Sequence, residues 1–109
     1  MTELSVSVSV EDVEGEARTV VRLAGEADVT TRALPEVLNA EAAKKPRLLL
    51  LDVSALTFID SAALHDVVRA ARQVRADGGE LALVDPSPAV ARVLQLSALD
   101  QVISVRATA

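Results

Sequence analysis

The stretch LLLLDVSALTFIDSAALHDVVRAARQV, residues 48–74, decides the fold of this chain, because a strand pattern in it passes into a helix pattern. Residues 48–53 are apolar apart from Asp52, as is typical of a central strand covered on both faces, and we expect this strand to enter a polar turn at residues 52–54. From Asp60-Ser61 onward, apolar residues recur at helical spacing until Asp77-Gly78-Gly79 ends the helix. This succession predicts an α/β fold.

Two strands are predicted upstream of this stretch. Apolar residues alternate with serines over 4–10, as in an edge strand that is buried on one face only. Residues 19–24 are rich in β-branched side chains and stop at Gly25. Because a polar link through Gly15 separates the two runs, we expect a hairpin with a fairly long turn.

A loop and a first helix are predicted to follow the hairpin. The segment Gly25-Glu26-Ala27-Asp28 has the composition of a loop. Thr30 or Thr31 can cap a helix that tolerates Pro35 near its first turn and ends before Pro46.

The remaining elements complete a mixed sheet. Residues 81–84 predict a short buried strand, Ser87-Pro88 predicts the start of a third helix, and residues 102–105 predict a last strand. We therefore expect one domain over residues 1–109, with four to five strands, an N-terminal hairpin and about three helices.

Composition excludes several classes of function. The net charge is −5, from 16 acidic and 11 basic residues, which disfavours nucleic-acid binding. Without cysteine there is no disulfide, thiolate metal site or cysteine nucleophile. No apolar run is long enough to span a membrane, and Met1-Thr2-Glu3 does not begin a secretory signal, so we expect a cytoplasmic protein.

Ser61 is the residue of greatest chemical interest. A serine at this place is ordinarily an N-cap, but a phosphate on its hydroxyl would meet the positive end of the helix dipole. The segment 59–63 lacks the glycines of a hydrolase nucleophile elbow. His65, the only histidine, lies one turn later, where we expect a surface role rather than catalysis. We predict no catalytic residue, metal site or cofactor.

An acidic cluster leaves one alternative open. Glu11-Asp12 and Asp52 resemble the acidic residues of a two-component receiver domain, which is a magnesium-dependent phosphoaspartate switch. The only lysines, Lys44 and Lys45, do not supply the lysine that a receiver carries near its last strand, and a second strand follows the first without a helix between them.

Four motifs together resemble the STAS-domain anti-sigma factor antagonists. Residues 51–64 resemble the family's phosphoacceptor segment, whose D-S-[SAT]-G-L motif corresponds to Asp60-Ser61-Ala62-Ala63-Leu64 with alanine in place of the glycine. Residues 25–28 are similar to its G-E-[LA]-D loop, and residues 78–81 and 87–90 are similar to its later strand and third helix. The resemblance covers nearly the whole chain.

The resemblance implies a mechanism and a set of partners. The unphosphorylated domain would bind an anti-sigma factor, a serine kinase with an ATP-binding fold, and so release a sigma factor. Phosphorylation of Ser61 would end this binding, and a phosphatase would restore it. Other members of the class serve in stressosomes or as subunits of lipid-transport complexes, and these remain alternatives.

The resemblance also implies which residues meet the partner. They are Asp28, Asp60, Ser61, Ala62 and Ala63, although Asp28 has an alternative interpretation as a turn or capping residue. Ala63 stands where the family commonly has glycine, and we expect its methyl group to hinder the close approach of a partner.

Overall fold

Five strands and three helices make up the computed structural model, which describes residues 4–28, 32–97 and 103–106. The elements, in chain order, are β1 (Ser5–Val13), β2 (Glu16–Ala27), α1 (Ala33–Ala43), β3 (Leu48–Ile59), α2 (Ser61–Ala76), β4 (Glu80–Val84), α3 (Pro88–Ser97) and β5 (Ser104–Arg106). The sheet order is β1-β2-β3-β4-β5, antiparallel between β1 and β2 and parallel elsewhere. The predicted mixed α/β fold with an N-terminal hairpin is confirmed.

The hairpin turn is shorter than predicted. Only Glu14 and Gly15 connect the strands, and both have positive φ angles, of 54° and 82°. Such a two-residue turn follows the right-handed twist of the paired strands. The sequence pattern missed it because the strands continue through charged residues, where Glu11 lies opposite Arg18.

Strand β1 lies at the sheet edge, as predicted, but only half of it is buried on one face. Leu4 and Val6 pack against the core, whereas Val8 and Val10 are 43% and 72% exposed. Alternation of apolar residues therefore predicted the strand correctly and its burial incorrectly. Strand β1 pairs only with β2 along its whole length.

The predicted turn at residues 52–54 is wrong, because β3 continues for 12 residues to Ile59. The Asp52 carboxylate accepts hydrogen bonds from the Ser54 N–H at 3.0 Å and the Ser54 hydroxyl at 2.7 Å. The register between β2 and β3 shifts at this point, as in a β-bulge, and pairing then resumes. A polar segment that looked like a turn is thus an irregularity within a strand.

The loop predicted at residues 25–28 is also mostly strand. Gly25, Glu26 and Ala27 complete β2 and pair with Leu56, Phe58 and Ile59 of β3. Pairing of β3 with β4 ends at Asp52 and Val84, so β2 and β3 project together beyond the rest of the sheet. This projection carries Asp28 and Ser61 to the same edge.

The helices follow the predictions where the structure describes them. Helix α1 ends at Ala43, before Pro46, while the proposed caps Thr30 and Thr31 lie outside the described residues. Helix α3 begins at Pro88, and the Ser87 hydroxyl oxygen accepts the Val90 N–H at 3.4 Å, as predicted for an N-cap. Strand β5 begins at Ser104; the start predicted at residue 102 lies outside the described residues.

The three helices cover one face of the sheet. Their buried side chains share a single core with alternate residues of β3, such as Leu49, Leu51 and Val53. The opposite face buries a smaller cluster of strand residues: Val20, Leu50, Ala82 and Val84. Ion pairs from Arg22 to Glu11 (3.1 Å) and from Arg106 to Glu80 (3.3 Å) also join neighbouring parts of the sheet.

Replacement of Gly79 by alanine should destabilise the protein through backbone packing. A Cβ atom at this position would lie far inside the contact distance of the Pro46 carbonyl oxygen, where the turn before β4 meets the start of β3. We expect Gly79→Ala to lower the free energy of unfolding by about 1–3 kcal/mol, as overpacking typically does. Chemical denaturation followed by circular dichroism measures this change.

Gly15→Ala is the matched control, because a Cβ atom there would meet nothing within 4 Å although φ is +82°. It isolates the backbone strain of a left-handed conformation, on the order of 1 kcal/mol. A loss of stability at Gly79 no larger than the loss at Gly15 would contradict the packing argument.

Candidate functional site

The candidate site lies where β2 and β3 end side by side. The Asp60 N–H donates to the Ala27 carbonyl oxygen at 3.1 Å, one residue beyond the last paired residues of the two strands. Asp28 follows Ala27 directly, and Ser61 follows Asp60. The structure therefore brings the predicted residues Asp28, Asp60 and Ser61 to one edge of the sheet.

Asp60, and not Ser61, is the N-cap of α2. The Asp60 backbone is extended (φ −100°, ψ 175°), and its carboxylate accepts the Ala63 N–H at 2.8 Å. Both residue types are good caps, so local sequence does not choose between them. The backbone bond to Ala27 decides, because it holds Asp60 in the extended conformation that a cap requires. The interpretation of Ser61 as an ordinary N-cap is wrong.

Ser61 is consequently the first residue of α2, with an exposed side chain. No group among the described residues forms a hydrogen bond with its hydroxyl. The hydroxyl stands at the positive end of a 16-residue helix, where backbone N–H groups lack helical partners and negative charge is favoured. The site combines an accessible nucleophilic oxygen with an environment suited to an anion.

His65 lies on the exposed side of the same helical turn. Its Nδ1 atom is 2.8 Å from the Ser61 carbonyl oxygen. A carbonyl oxygen can only accept, so Nδ1 carries the hydrogen of this bond. The ring is thus bound to the helix backbone rather than to the Ser61 hydroxyl, and the predicted surface position is confirmed.

The two alanines after Ser61 differ in accessibility. Ala62 is partly exposed, whereas Ala63 is 1% exposed and belongs to the core under the helices. The expectation that the Ala63 methyl group hinders a partner is therefore wrong, because that group points into the protein. Of the five residues predicted to meet a partner, four remain at the surface: Asp28, Asp60, Ser61 and Ala62.

Phe58 is a surface residue that the sequence interpretation overlooked. It lies three positions before Ser61, in the projecting part of β3, and 45% of it is exposed. The neighbouring Thr57 hydroxyl donates to the Gly25 carbonyl oxygen at 3.1 Å, which ties this segment to β2. The sequence did contain a signal for this residue, because Phe58 is the lone phenylalanine in a chain without tryptophan or tyrosine.

Two of the three acidic residues that suggested a receiver domain, Glu11 and Asp52, lie in ion pairs. Arg22 is 3.1 Å from Glu11 and 3.9 Å from Asp52, so both carboxylates are engaged by a guanidinium on the sheet. Within the described residues, no group of three or more histidine, aspartate or glutamate side chains could hold a metal ion. No helix in those parts of the chain has the length and apolar character needed to cross a membrane.

Comparisons with known proteins agree with this architecture. The STAS domain family model matches residues 7–109. An anti-sigma F factor antagonist of Paenibacillus polymyxa is 30% identical over 88 residues, which cover 79% of this chain and 75% of the relative.

Two solved structures are similar over most of their length. An anti-sigma factor antagonist from Mycobacterium paratuberculosis has a TM-score of 0.79 and 30% identity, covering 95% of this chain and 87% of that one. The Bacillus cell fate determinant SpoIIAA in its phosphorylated form has a TM-score of 0.65 and 25% identity, covering 91% and 90%. With the family match spanning almost the entire sequence, this chain belongs to the STAS domain family.

Proposed function

We propose that this protein is an anti-sigma factor antagonist that acts by binding and is switched off by phosphorylation of Ser61. The observation that carries the proposal is the exposed Ser61 hydroxyl, left without a capping role because Asp60 supplies the cap. Relatives named as anti-sigma factor antagonists support it, and one of them, SpoIIAA, has been solved in both an unphosphorylated and a phosphorylated form. In this proposal the unphosphorylated chain binds an anti-sigma factor in the cytoplasm, which frees a sigma factor.

The proposed kinase is the anti-sigma factor itself, a serine kinase with an ATP-binding fold, and a phosphatase reverses the modification. This assignment of the kinase and the phosphatase rests on the family resemblance. The net charge of −5 supports a link to transcription through a protein rather than through nucleic acid. The chain supplies the phosphorylated hydroxyl, and the partner supplies the catalytic groups.

The folded domain can carry the phosphate without rearrangement. A phosphoryl group on the first residue of α2 would lie among the unpaired N–H groups of the first turn, at the positive end of the helix dipole. The first turn of α2 contains no acidic residue, and the helix N-terminus offsets the repulsion from the Asp60 carboxylate that caps it. Phosphorylation should therefore change the stability of the free domain very little.

The same phosphate should weaken the complex through charge. It adds about −1.5 to −2 charges at the centre of the surface formed by Asp28, Asp60, Ser61 and Ala62. A partner that docks there must desolvate the phosphate and accommodate its negative charge beside the Asp60 carboxylate. Because docking excludes water, the repulsion between the phosphate and the Asp60 carboxylate, about 6 Å apart, rises to a few kcal/mol at an effective dielectric near 20. Salt reduces this repulsion, and the remainder should weaken the affinity about tenfold or more.

Substitutions at Ser61 should separate affinity from stability. We expect Ser61→Ala to bind the anti-sigma factor like the unmodified chain and to resist phosphorylation. Ser61→Asp should bind about tenfold or more weakly, with a nearly unchanged melting temperature, since its charge is favoured by the helix N-terminus in the free domain. Calorimetric titration against the purified anti-sigma factor, together with thermal melts, measures both quantities.

Ser7→Asp is the matched control, because Ser7 is also exposed and lies on the edge strand β1. It adds the same charge away from the proposed surface and should leave affinity unchanged. Equal binding by all three Ser61 forms would reject the switch and would favour a structural role, such as a subunit that binds an ATPase without being phosphorylated.

Asp28 is expected to contribute to recognition rather than to folding. It is partly exposed and follows the last residue of β2, beside the N-cap of α2. We expect Asp28→Ala to lower anti-sigma factor affinity or the rate of Ser61 phosphorylation several-fold while the thermal melt changes little. Asp12→Ala, which removes an exposed carboxylate from the hairpin, is the control. If Asp28→Ala changed neither binding nor phosphorylation, the alternative interpretation of Asp28 as a turn or capping residue would be favoured.

A further inference from the structure

His65 lies on the exposed face of α2, one turn after Ser61. The buried residues of this helix, among them Ala63, Val67 and Val74, lie on the opposite side. Ser61 and His65 are both exposed and stand one turn apart, where Cβ atoms are about 5–6 Å from each other. The hydrogen bond from Nδ1 to the Ser61 carbonyl oxygen, 2.8 Å long, holds the imidazole ring over the first turn.

We propose that His65 is a positioning residue for a phosphoryl group on Ser61, which its imidazolium form holds at the N-terminus of α2. The proposal rests on Ser61 being the phosphoacceptor, as inferred above. It assigns to the only histidine of the chain a role that depends on its charge.

The charged residues at the strand ends and along α2 favour His65 for this role. The Asp60 carboxylate, at the N-cap directly before Ser61, opposes a phosphate. Along α2, the nearest permanent cation is Arg69, which is two turns away and lies 3.5 Å from Asp66. Arg72 lines the same surface hollow as His65 and Arg69, still farther from Ser61. His65 is thus the cation-forming side chain closest to Ser61 along the helix.

The tautomer explains how the charge arises. In the neutral ring Nδ1 carries the hydrogen that bonds to the Ser61 carbonyl oxygen, so Nε2 is the atom that gains a proton. The ring can become positive without breaking its bond to the backbone. Imidazole and phosphoserine both titrate in the range of about pH 5 to 8, so each should influence the other near neutrality.

The sign of the coupling follows from electrostatics. A phosphate dianion favours the charged imidazolium, which raises the affinity of the ring for its proton. By linkage, the imidazolium disfavours protonation of the phosphate to the same extent. For exposed groups one helical turn apart we expect a change in proton affinity of roughly three- to tenfold, or about 0.5 to 1 pH unit in each titration midpoint.

Nuclear magnetic resonance of the full chain tests the proposal, with phosphoserine incorporated at position 61 during translation. Because the chain has one histidine, the imidazole ring protons report a single residue between pH 5 and 9. We expect the midpoint of this titration to lie about 0.5 to 1 pH unit higher in the phosphorylated chain than in the unmodified chain. The phosphorus resonance of the same sample reports the phosphate.

Two variants separate charge from structure. In phosphorylated His65→Gln, which keeps a polar side chain but cannot become positive, the phosphate should lose its second proton at a pH about 0.5 to 1 unit higher than in the parent. His65→Arg, which is permanently positive, should restore the lower value. Thermal melts of both variants show whether the fold is intact.

Identical histidine titrations with and without phosphate, or a phosphorus titration unchanged by His65→Gln, would overturn the proposal. Because translation installs the phosphoserine, these outcomes do not depend on any kinase. If Ser61 proved not to be phosphorylated by the anti-sigma factor, the proposed switch would fail while the coupling between His65 and the phosphate would still be measured. The two inferences can therefore fail separately.

Discussion

The functional end of this protein depends on how Asp60 is held between the sheet and α2. Its N–H donates to the Ala27 carbonyl oxygen and thereby extends the pairing of β2 with β3 by one residue. Its carboxylate then accepts the Ala63 N–H and starts the helix. One residue thus ends a strand, caps a helix and leaves the next side chain, Ser61, exposed. Without the extended conformation of Asp60, the cap would not form and the Ser61 hydroxyl would not be held at the start of α2.

This junction is supported by the unequal lengths of the strands. Strand β3 continues past the point where β4 stops, so one side of its last residues has no strand partner. The loop before α3 fills part of that side: the Ser87 N–H donates to the Val53 carbonyl oxygen at 3.4 Å, and the Ser87 hydroxyl donates to the Leu56 carbonyl oxygen. Backbone groups that would otherwise be orphaned are thereby satisfied, and the projecting strand stays in register with β2.

The electrostatics of the site are balanced rather than uniformly attractive to an anion. The helix dipole and the unpaired N–H groups favour a phosphate on Ser61, whereas the Asp60 carboxylate opposes it from the adjacent residue. Asp60 cannot be removed without loss of the cap, so the repulsion is a consequence of the local fold. A titratable cation one turn away, such as His65, offsets that repulsion only while it is protonated.

The sequence by itself determined the type and order of the elements, because residue periodicity and turn composition report local structure directly. It also singled out Ser61, through motifs whose spacing matches a known family. Features that depend on what packs beside a residue were decided only in the tertiary structure. Asp60 rather than Ser61 became the cap because β2 pairs with it, and Ala63 became inaccessible because α2 packs against the core. Likewise β3 passed through the polar residues at Asp52 because the neighbouring strand accommodates a shift in register, which no local pattern encodes.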